Sequence, residues 1–544
     1  MSRNKTIRQT EQHALKGDLM AIYQLAENYS EPKGSDDDKI KSQYYMDKCL
    51  DFLNKKDEEE KPENEFILRK IELIYFRKFE SIKVDFDKKL NVIIGENGSG
   101  KTAIIESIAK VLSWICAGIE TEGKNAKRIE YTDINVACPH YSDLNVEFTF
   151  GLNTKVKANL SRAKKGTEEK RDSNVSEIKS LANIFRVVNS HEEIDLPIFA
   201  YYSVSRASEK VNNTFDLEKF KDGKSKTRFD AYDGVLDGEG QFGKFIEWFL
   251  FLENIANSTK DLHYIEELKE DLKFIKKAVK SVSDDLKASF NEMIKTKEQY
   301  IRQAEASLTG GYTKLRKAVL TAITGTVTTV SEMKVDRSSG RAELKVNNNG
   351  LWININQLSQ GQRVVLGTVA DLALRMVMLN PKLIDPLKGR GIVLIDEIEL
   401  HLHPKWQQQI ILSLKKVFPN IQFILTTHSP HVLSTVNKES IRVLQDNGDG
   451  TVTASSPEFQ TKGVVSSDIL ETLMNTFSIP PVEEAQWFED FTNYVEQGYK
   501  DKPEALNLLE KLNRHYGPNH PVIKQCDSIL RLQDLKERAR SKIK

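Results

Sequence analysis

The sequence predicts an α/β fold with a mostly parallel central sheet and an antiparallel β subdomain. The central strands are indicated by short apolar runs, as expected of strands that are covered on both faces: Leu90–Ile94, Gly391–Ile395 and Ile421–Leu425. The antiparallel strands are indicated by alternating apolar and polar residues in Phe66–Phe76 and Ile82–Phe86. The two patterns together predict one sheet buried between helices and a second sheet with one exposed face.

Helical periodicity places helices next to the predicted central strands. Ala103–Trp114 would follow the first strand, Val364–Met378 would precede the second, and Trp406–Val417 would precede the third. Two charged strands around the turn Asn447–Gly450 would follow as a hairpin. Strands that alternate with helices are typical of a layered α/β core.

Composition limits the classes of protein. The chain has 544 residues, enough for two or three domains, and Lys+Arg and Asp+Glu both total 79, so the net charge is zero. A balanced chain shows no global attraction for nucleic acid. The N-terminus carries no apolar signal segment, and no apolar run approaches the roughly 20 residues of a membrane helix. We therefore expect a soluble, cytoplasmic protein without a membrane partner, and the four cysteines, which form no CxxC pair, to be free thiols.

Five segments are predicted along the chain. Residues 1–60 are expected to be helical, in a tetratricopeptide-like pair that docks on the main body or on a partner. After a charged linker at 57–65, residues 66–250 and 321–440 would form the two parts of the α/β core. Residues 251–320 would be a helical insertion, and residues 441–544 a hairpin followed by a helical partner-binding segment.

The predicted insertion contains apolar residues with a 3.5-residue period. They are Leu268, Leu272, Ile275, Val279, Val282 and Leu286. A helical hairpin that packs on its own domain explains this short seam better than an intermolecular coiled coil, which stays the alternative.

A glycine-rich loop follows the first central strand and precedes a predicted helix. It fits the pattern GxxxxGK[ST] and consists of Gly95, Glu96, Asn97, Gly98, Ser99, Gly100, Lys101 and Thr102. Its glycines allow backbone N–H groups to surround a β-phosphate, to which the helix N-terminus adds partial positive charge. Lys101 would bridge the β- and γ-phosphates, and the Thr102 hydroxyl would ligate Mg²⁺. The pattern predicts a site for ATP with Mg²⁺, since a chance glycine turn would lack the strand and helix around it.

Acidic residues and a histidine end the other two central strands. Asp396 and Glu397 follow one strand, and His428 follows the next. The carboxyl edge of a parallel sheet collects ligands. We expect Asp396 to serve Mg²⁺, Glu397 to polarise the attacking water, and His428 to hold that water or contact the γ-phosphate. The alternatives are a pair of carboxylates that caps a helix and a structural histidine.

The segment Leu358–Gln362 suggests a second anion site. Ser359, Gly361 and Gln362 stand at the start of a predicted helix, whose N–H groups can bind an anion. Because the chain already has its own phosphate loop, this site is most economically used on the γ-phosphate of a second copy. It therefore predicts a homodimer that sandwiches ATP.

These motifs resemble those of ABC-type ATPases of the structural-maintenance, recombination-repair and overcoming-lysogenization group. In that group a Walker A loop, an LSGGQ-like signature, a Walker B Asp-Glu pair and a switch histidine meet in a dimer. The resemblance covers residues 66–440. It implies that Lys101 and Thr102 belong to the Walker A loop, Ser359 and Gly361 to the signature, and Asp396 and Glu397 to Walker B. His428 would be the switch histidine. The loop Glu399–Pro404 resembles the one that contacts the dimer partner. A Q-loop glutamine is not placed.

At finer grain the chain resembles the Septu anti-phage ATPases, the PtuA family, and among them those that accompany retrons. The resemblance implies a separate HNH nuclease subunit, PtuB-like, together with a reverse transcriptase and multicopy single-stranded DNA. The C-terminal segment lacks the Glu…DxD set of the nuclease domain found in full-length members of the overcoming-lysogenization group, so nuclease activity is not expected in this chain. Two alternatives stay open, a self-contained ATP-dependent nuclease and a DNA-binding repair ATPase.

Overall fold

The computed structural model describes residues 2–30, 35–56, 63–168, 170–208, 227–239, 311–338, 343–448, 451–477 and 479–543, with scattered residues between 242 and 294. The chain forms two compact units, Met1–Gly463 and Val464–Lys544. The boundary lies after the hairpin that the sequence analysis assigned to the C-terminal segment. Most of the predicted insertion, including Leu268, Val279, Val282 and Leu286 of its apolar seam, lies outside the described residues.

The first unit is built on a six-stranded sheet in which three strands predicted from apolar runs lie side by side. The strand order is β13 (Val452–Ser455), β12 (Ile441–Asp446), β3 (Leu90–Ile94), β11 (Ile421–Thr426), β10 (Gly391–Ile395) and β6 (Ile198–Tyr202). All neighbouring pairs are parallel except β12 with β13. Every residue of β3, β10, β11 and β6 is buried. The prediction of central strands is confirmed for all three, and their carboxyl ends share one edge.

The described residues also form two antiparallel sheets. One has the order β2 (Phe79–Asp85), β1 (Phe66–Phe76), β4 (Tyr141–Phe150) and β5 (Thr154–Ala163), and the other consists of β7 (Val330–Asp336), β8 (Glu343–Asn348) and β9 (Leu351–Asn354). The alternating pattern thus predicted β1 and most of β2 correctly. Gln422 of β11 links the first antiparallel sheet to the central one, because its buried amide accepts the N–H of Leu68 at 2.8 Å and donates to its carbonyl at 2.9 Å.

The N-terminal segment contains three helices where the sequence suggested a pair. They are α1 (Ser2–Leu15), α2 (Leu19–Tyr29) and α3 (Asp36–Asn54). Two hydrogen bonds fix α2 to the main body: the N–H of Leu19 donates to the Thr154 hydroxyl at 2.8 Å, and the Asn183 amide donates to the Tyr23 hydroxyl at 3.0 Å. These contacts place α2 on the main body.

Helices cover the central sheet. They are α4 (Lys101–Glu120), α5 (Ser176–His191), α6 (Gly311–Thr326), α7 (Gln360–Leu379), α8 (Pro404–Val417) and the single turn α9 (Pro430–Leu433). Among the described residues, α4 alone is long and apolar enough to cross a membrane, which corrects the expectation that no apolar run approaches that length; 78% of its most apolar window is buried within the fold. A core helix passes the same test of length and composition.

The second unit is helical, as predicted for the end of the chain. It contains α10 (Ser466–Leu473), α11 (Glu483–Glu496), α12 (Pro503–Tyr516) and α13 (Pro521–Ile543). Helices α11 to α13 enclose a small core of their own, formed by Phe491, Val495, Leu512, Ile523 and Cys526. All four cysteines of the chain are buried and free.

Candidate nucleotide-hydrolysis site

The glycine-rich loop lies between β3 and α4, as its sequence context predicted. Gly98 and Gly100 adopt φ of 76° and 98°, in the left-handed region that glycine enters at little cost. Gly100 is also sterically required, because a Cβ there would approach the Phe79 ring to 2.2 Å. Glu96, Asn97 and Gly98 are exposed at the tip of the loop, and Ser99 is buried. The backbone therefore has the curvature needed to surround a phosphate.

The Lys101 ammonium lies inside this curve. It donates to the carbonyls of Gly95 and Glu96, both at 2.9 Å, and the residue is only 7% exposed. Burial lowers the pKa of Lys101, and the nearby Asp396 and Glu397 carboxylates oppose that shift. A cation held inside a ring of backbone groups is placed to meet a polyphosphate.

The loop and the end of β10 are joined by a direct hydrogen bond. The Thr102 hydroxyl donates to one carboxylate oxygen of Asp396 at 2.8 Å, and the Thr426 hydroxyl donates to the other. Asp396 is 2% exposed, so its carboxylate is fixed by these partners. A hydroxyl and a carboxylate side by side form a hard-oxygen pair of the kind that Mg²⁺ takes together with phosphate oxygens. Among the residues that the structure describes, no group of three or more His, Cys, Asp or Glu side chains is arranged to hold a metal.

Glu397 is held in a strained conformation beside Asp396. Its φ is 46°, and its N–H donates to the Thr426 hydroxyl at 2.8 Å. Arg206, which the sequence analysis did not single out, donates to the carbonyls of Asp396 at 2.6 Å and Glu397 at 2.7 Å. The available signal was its position shortly after the buried strand Ile198–Tyr202, since polar residues at the carboxyl ends of parallel strands gather in one place.

The backbone of His428 is held by Glu399, another residue whose role became visible only in three dimensions. The Glu399 carboxylate accepts the N–H of His428 at 2.5 Å and the Thr427 hydroxyl at 2.7 Å. Burial lowers the pKa of the half-buried imidazole, and the positive charge of Lys101 lowers it further. The ring is therefore biased toward the neutral form.

The signature segment begins helix α7. Ser359 caps the helix: its hydroxyl accepts the N–H of Gln362 at 3.3 Å, and its own N–H donates to the Gln362 side chain at 3.0 Å. The Gln362 amide also donates to Thr329 at 3.0 Å. Gly361 packs so closely on the loop after β10 that a Cβ there would approach the His401 carbonyl oxygen to 2.4 Å.

The structure thus brings four of the predicted elements to one edge of the central sheet: the glycine-rich loop, Asp396, Glu397 and His428. Ser359 is exposed at the start of α7. The hydrogen bonds given above join Ser359 to Gln362 and Gln362 to Thr329, and none of them reaches the glycine-rich loop. Parallel strands that end in a phosphate-binding loop and an Asp-Glu pair define a P-loop ATPase core.

Comparison with known proteins identifies the family. Residues 67–433 match the family model described as "AAA ATPase domain". The chain is 29% identical over 529 residues to "Retron Vc95 probable ATPase" of Vibrio cholerae serotype O1 biovar El Tor, across 94% of this chain and 98% of that protein. It is 30% identical over 523 residues to "Retron Ec83 probable ATPase" of Escherichia coli, across 93% of each chain.

A shorter match links the chain to "Septu protein PtuA" of Bacillus mycoides (strain KBAB4), with 30% identity over 193 residues, 34% of this chain and 26% of that protein. The chain belongs to the AAA ATPase domain family and, within it, to the retron-associated ATPases. It is an ATPase, as the motifs predicted.

Proposed function

We propose that this chain is the ATPase subunit of an anti-phage defence complex, in which ATP binding and hydrolysis control a nuclease on a separate chain. Its relatives are named for retrons and for the Septu system, which supports the assignment to defence. The observation that carries the ATPase chemistry is the hydrogen bond between Thr102 and Asp396, because it joins the phosphate loop to the acidic strand end.

In this proposal each residue has one task in the hydrolysis of ATP to ADP and phosphate. Lys101 neutralises charge on the β- and γ-phosphates, and the N–H groups of Gly95–Gly100 hold the β-phosphate. Glu397 polarises the water that attacks the γ-phosphorus, and His428 holds this water in line. Thr102 and Asp396 would hold a Mg²⁺ ion, which would supply charge neutralisation at the phosphates.

The signature segment would act in trans. Ser359, Gly361 and Gln362 would face the γ-phosphate bound by a second copy, so that each of two ATP molecules is enclosed by both chains. The exposure of Ser359 and the hydrogen bonds that hold the start of α7 support this role, because an exposed, rigid helix N-terminus binds an anion at little entropic cost. Hydrolysis would then release the dimer.

The partners we propose are a PtuB-like HNH nuclease, a reverse transcriptase and its multicopy single-stranded DNA, all in the cytoplasm. The test is to tag this chain, purify it from its host, and identify the proteins and nucleic acid that co-elute. An HNH protein with a reverse transcriptase and short single-stranded DNA is the expected result. Recovery of the chain alone, with Mg²⁺- or Mn²⁺-dependent DNA cleavage by the purified protein, would contradict the proposal and favour a self-contained nuclease.

A further inference from the structure

Arg206 is a buried cation whose hydrogen bonds, within the part of the chain that the structure describes, all run to the backbone. The residue is 7% exposed, and its guanidinium donates to the carbonyls of Tyr202 at 3.3 Å, Ser203 at 2.6 Å, Asp396 at 2.6 Å and Glu397 at 2.7 Å. Burying a guanidinium is costly unless its N–H groups find partners. This arrangement meets that requirement with carbonyls at the ends of β6 and β10, and the acidic pair directly follows β10.

These carbonyls lie at the ends of two neighbouring parallel strands. Tyr202 ends β6 and lies opposite Ile395 of β10, and its carbonyl also accepts the N–H of Asp396 at 2.9 Å. Arg206 therefore joins the ends of β6 and β10 at the point where the two strands leave the sheet. Glu397 lies there in the left-handed region, which strains a non-glycine residue and must be stabilised by its surroundings.

The turn that contains Arg206 is also joined to the signature helix α7. The Gln360 amide donates to the carbonyl of Ala207 at 3.3 Å, and the Tyr202 hydroxyl donates to Asp371 of α7 at 2.9 Å. Asp371 in turn forms a buried ion pair with Arg375 at 2.9 Å. A small, mostly apolar cavity of about 20 Å³ lies beside Arg206 and is lined by Val365 of α7 and Ile395 of β10.

We infer that Arg206 is a positioning residue for ATP hydrolysis, which fixes the backbone of Asp396 and Glu397 and couples it to the helix that begins at Ser359. The inference rests on the proposed role of Glu397. The start of α7 would meet the partner's nucleotide, and Glu397 would activate water. The turn that contains Arg206 connects the two. Contact across the dimer would thus be felt at the hydrolytic carboxylate.

An arginine is required by the geometry. Its planar fork presents separate nitrogens to the carbonyls of Asp396 and Glu397, whereas a lysine ammonium has one nitrogen on a flexible stem. The Arg206 guanidinium is charged at neutral pH, because arginine stays protonated in proteins. A lysine would keep that charge and lose the fork.

The chain offers a matched control at the other end of the same strand. Arg390 directly precedes β10, is 1% exposed, and donates to the carbonyls of Leu53 at 2.7 Å, Asn64 at 3.2 Å and Asp195 at 3.2 Å. It is thus a second buried guanidinium that binds backbone carbonyls, at the edge opposite the nucleotide residues. Arg390→Lys should lower stability as Arg206→Lys does, without touching the site.

The experiment compares R206K, R206Q and R390K with the unsubstituted chain for kcat, KM, equilibrium ATP binding and melting temperature. Displacement of a reacting group by about 1 Å costs up to roughly 100-fold in rate, so we expect kcat of R206K to fall by about 10- to 100-fold. ATP affinity should change by less than about threefold, as for loss of an interaction made in the transition state. R390K should lower the melting temperature and keep kcat, per folded molecule, within about twofold.

Two results would overturn the inference. One is a kcat for both R206K and R206Q within about twofold of the unsubstituted chain, and the other is an equal loss of kcat in R390K at matched stability. Glu397→Gln, measured in parallel, separates this inference from the proposed function. Continued turnover in E397Q would remove the assigned role of Glu397, whereas an inactive E397Q beside an active R206K would remove only the role of Arg206.

Discussion

The carboxylate of Glu399 accepts the backbone N–H of His428 at 2.5 Å, and its second oxygen accepts the Thr427 hydroxyl at 2.7 Å. The loop after β10 therefore fixes the turn after β11, although the two segments follow different strands. The position of the histidine depends on a residue outside its own motif.

This relationship predicts the effect of Glu399→Gln. The amide has a single acceptor oxygen and would turn an N–H₂ toward one of the two donors, which leaves either the hydroxyl of the buried Thr427 or the backbone N–H of the half-buried His428 without a partner. We expect kcat for ATP to fall by about 10-fold while ATP affinity stays within about threefold. Steady-state turnover and equilibrium binding test this, with the exposed Glu458→Gln as the control. Equal kcat in the two variants would show that Glu399 does not position His428 for hydrolysis.

Lys101→Ala should abolish tight binding of ATP. The substitution removes the cation from the centre of the loop, and charge-assisted hydrogen bonds contribute about 1.5–3 kcal/mol each, on the order of 10- to 100-fold in Kd. Titration with a fluorescent ATP analogue measures the change, and Lys155→Ala, an exposed lysine of β5, is the control for the general loss of a positive charge. An unchanged Kd would place the phosphates elsewhere.

Glu397→Gln should retain ATP binding and stop hydrolysis. The amide cannot polarise the attacking water, while the backbone contacts of residue 397 with Arg206 and Thr426 do not depend on the carboxylate. We expect a stable dimer with ATP and Mg²⁺, seen by light scattering as a doubling of mass relative to the same variant with ADP. A monomer under both conditions would contradict the proposed ATP sandwich.

Gly361→Ala tests the contact between the signature helix and the loop after β10. Its Cβ would lie 2.4 Å from the backbone carbonyl of His401, so helix or loop must move. We expect a fall in ATP-dependent dimerisation and turnover, with affinity of the single chain for ATP nearly unchanged. Gly166→Ala is the control, because its Cβ would meet nothing within 4 Å and its φ of 85° imposes backbone strain away from the site. Equal activity in both variants would refute the requirement for this close contact.

The lowered pKa of His428 predicts how stability depends on pH. Above the ordinary value of 6.5 the imidazole is neutral in both the folded and the unfolded chain. As the pH falls below 6.5 the unfolded chain binds a proton first, so the free energy of unfolding decreases until the lower folded-state pKa is reached. His428→Gln should remove this part of the decrease. Urea denaturation between about pH 5 and pH 8 measures it, and identical curves for the two proteins over that range would contradict the prediction.

The motifs and the strands that carry them could be predicted because each is a contiguous pattern. The glycines and Lys101 follow one another in a single loop, and the apolar runs of β3, β10 and β11 need no knowledge of their neighbours. Even the shared edge of the sheet was predictable, since a phosphate loop, Asp396 and His428 all follow apolar runs and parallel strands present their carboxyl ends together.

The sequence by itself therefore determined the fold class, the ATPase chemistry and most of the residues that we propose perform it. The tertiary structure alone decided the order of the strands and the contacts that hold those residues. Arg206 donates to the Glu397 carbonyl, Glu399 accepts the backbone N–H of His428, and Gly361 packs against the His401 carbonyl. The physical reason is the sequence separation between the residues that interact. A loop or a strand is dictated by neighbouring residues, whereas a hydrogen bond between distant residues depends on strand order and register, which no local pattern contains.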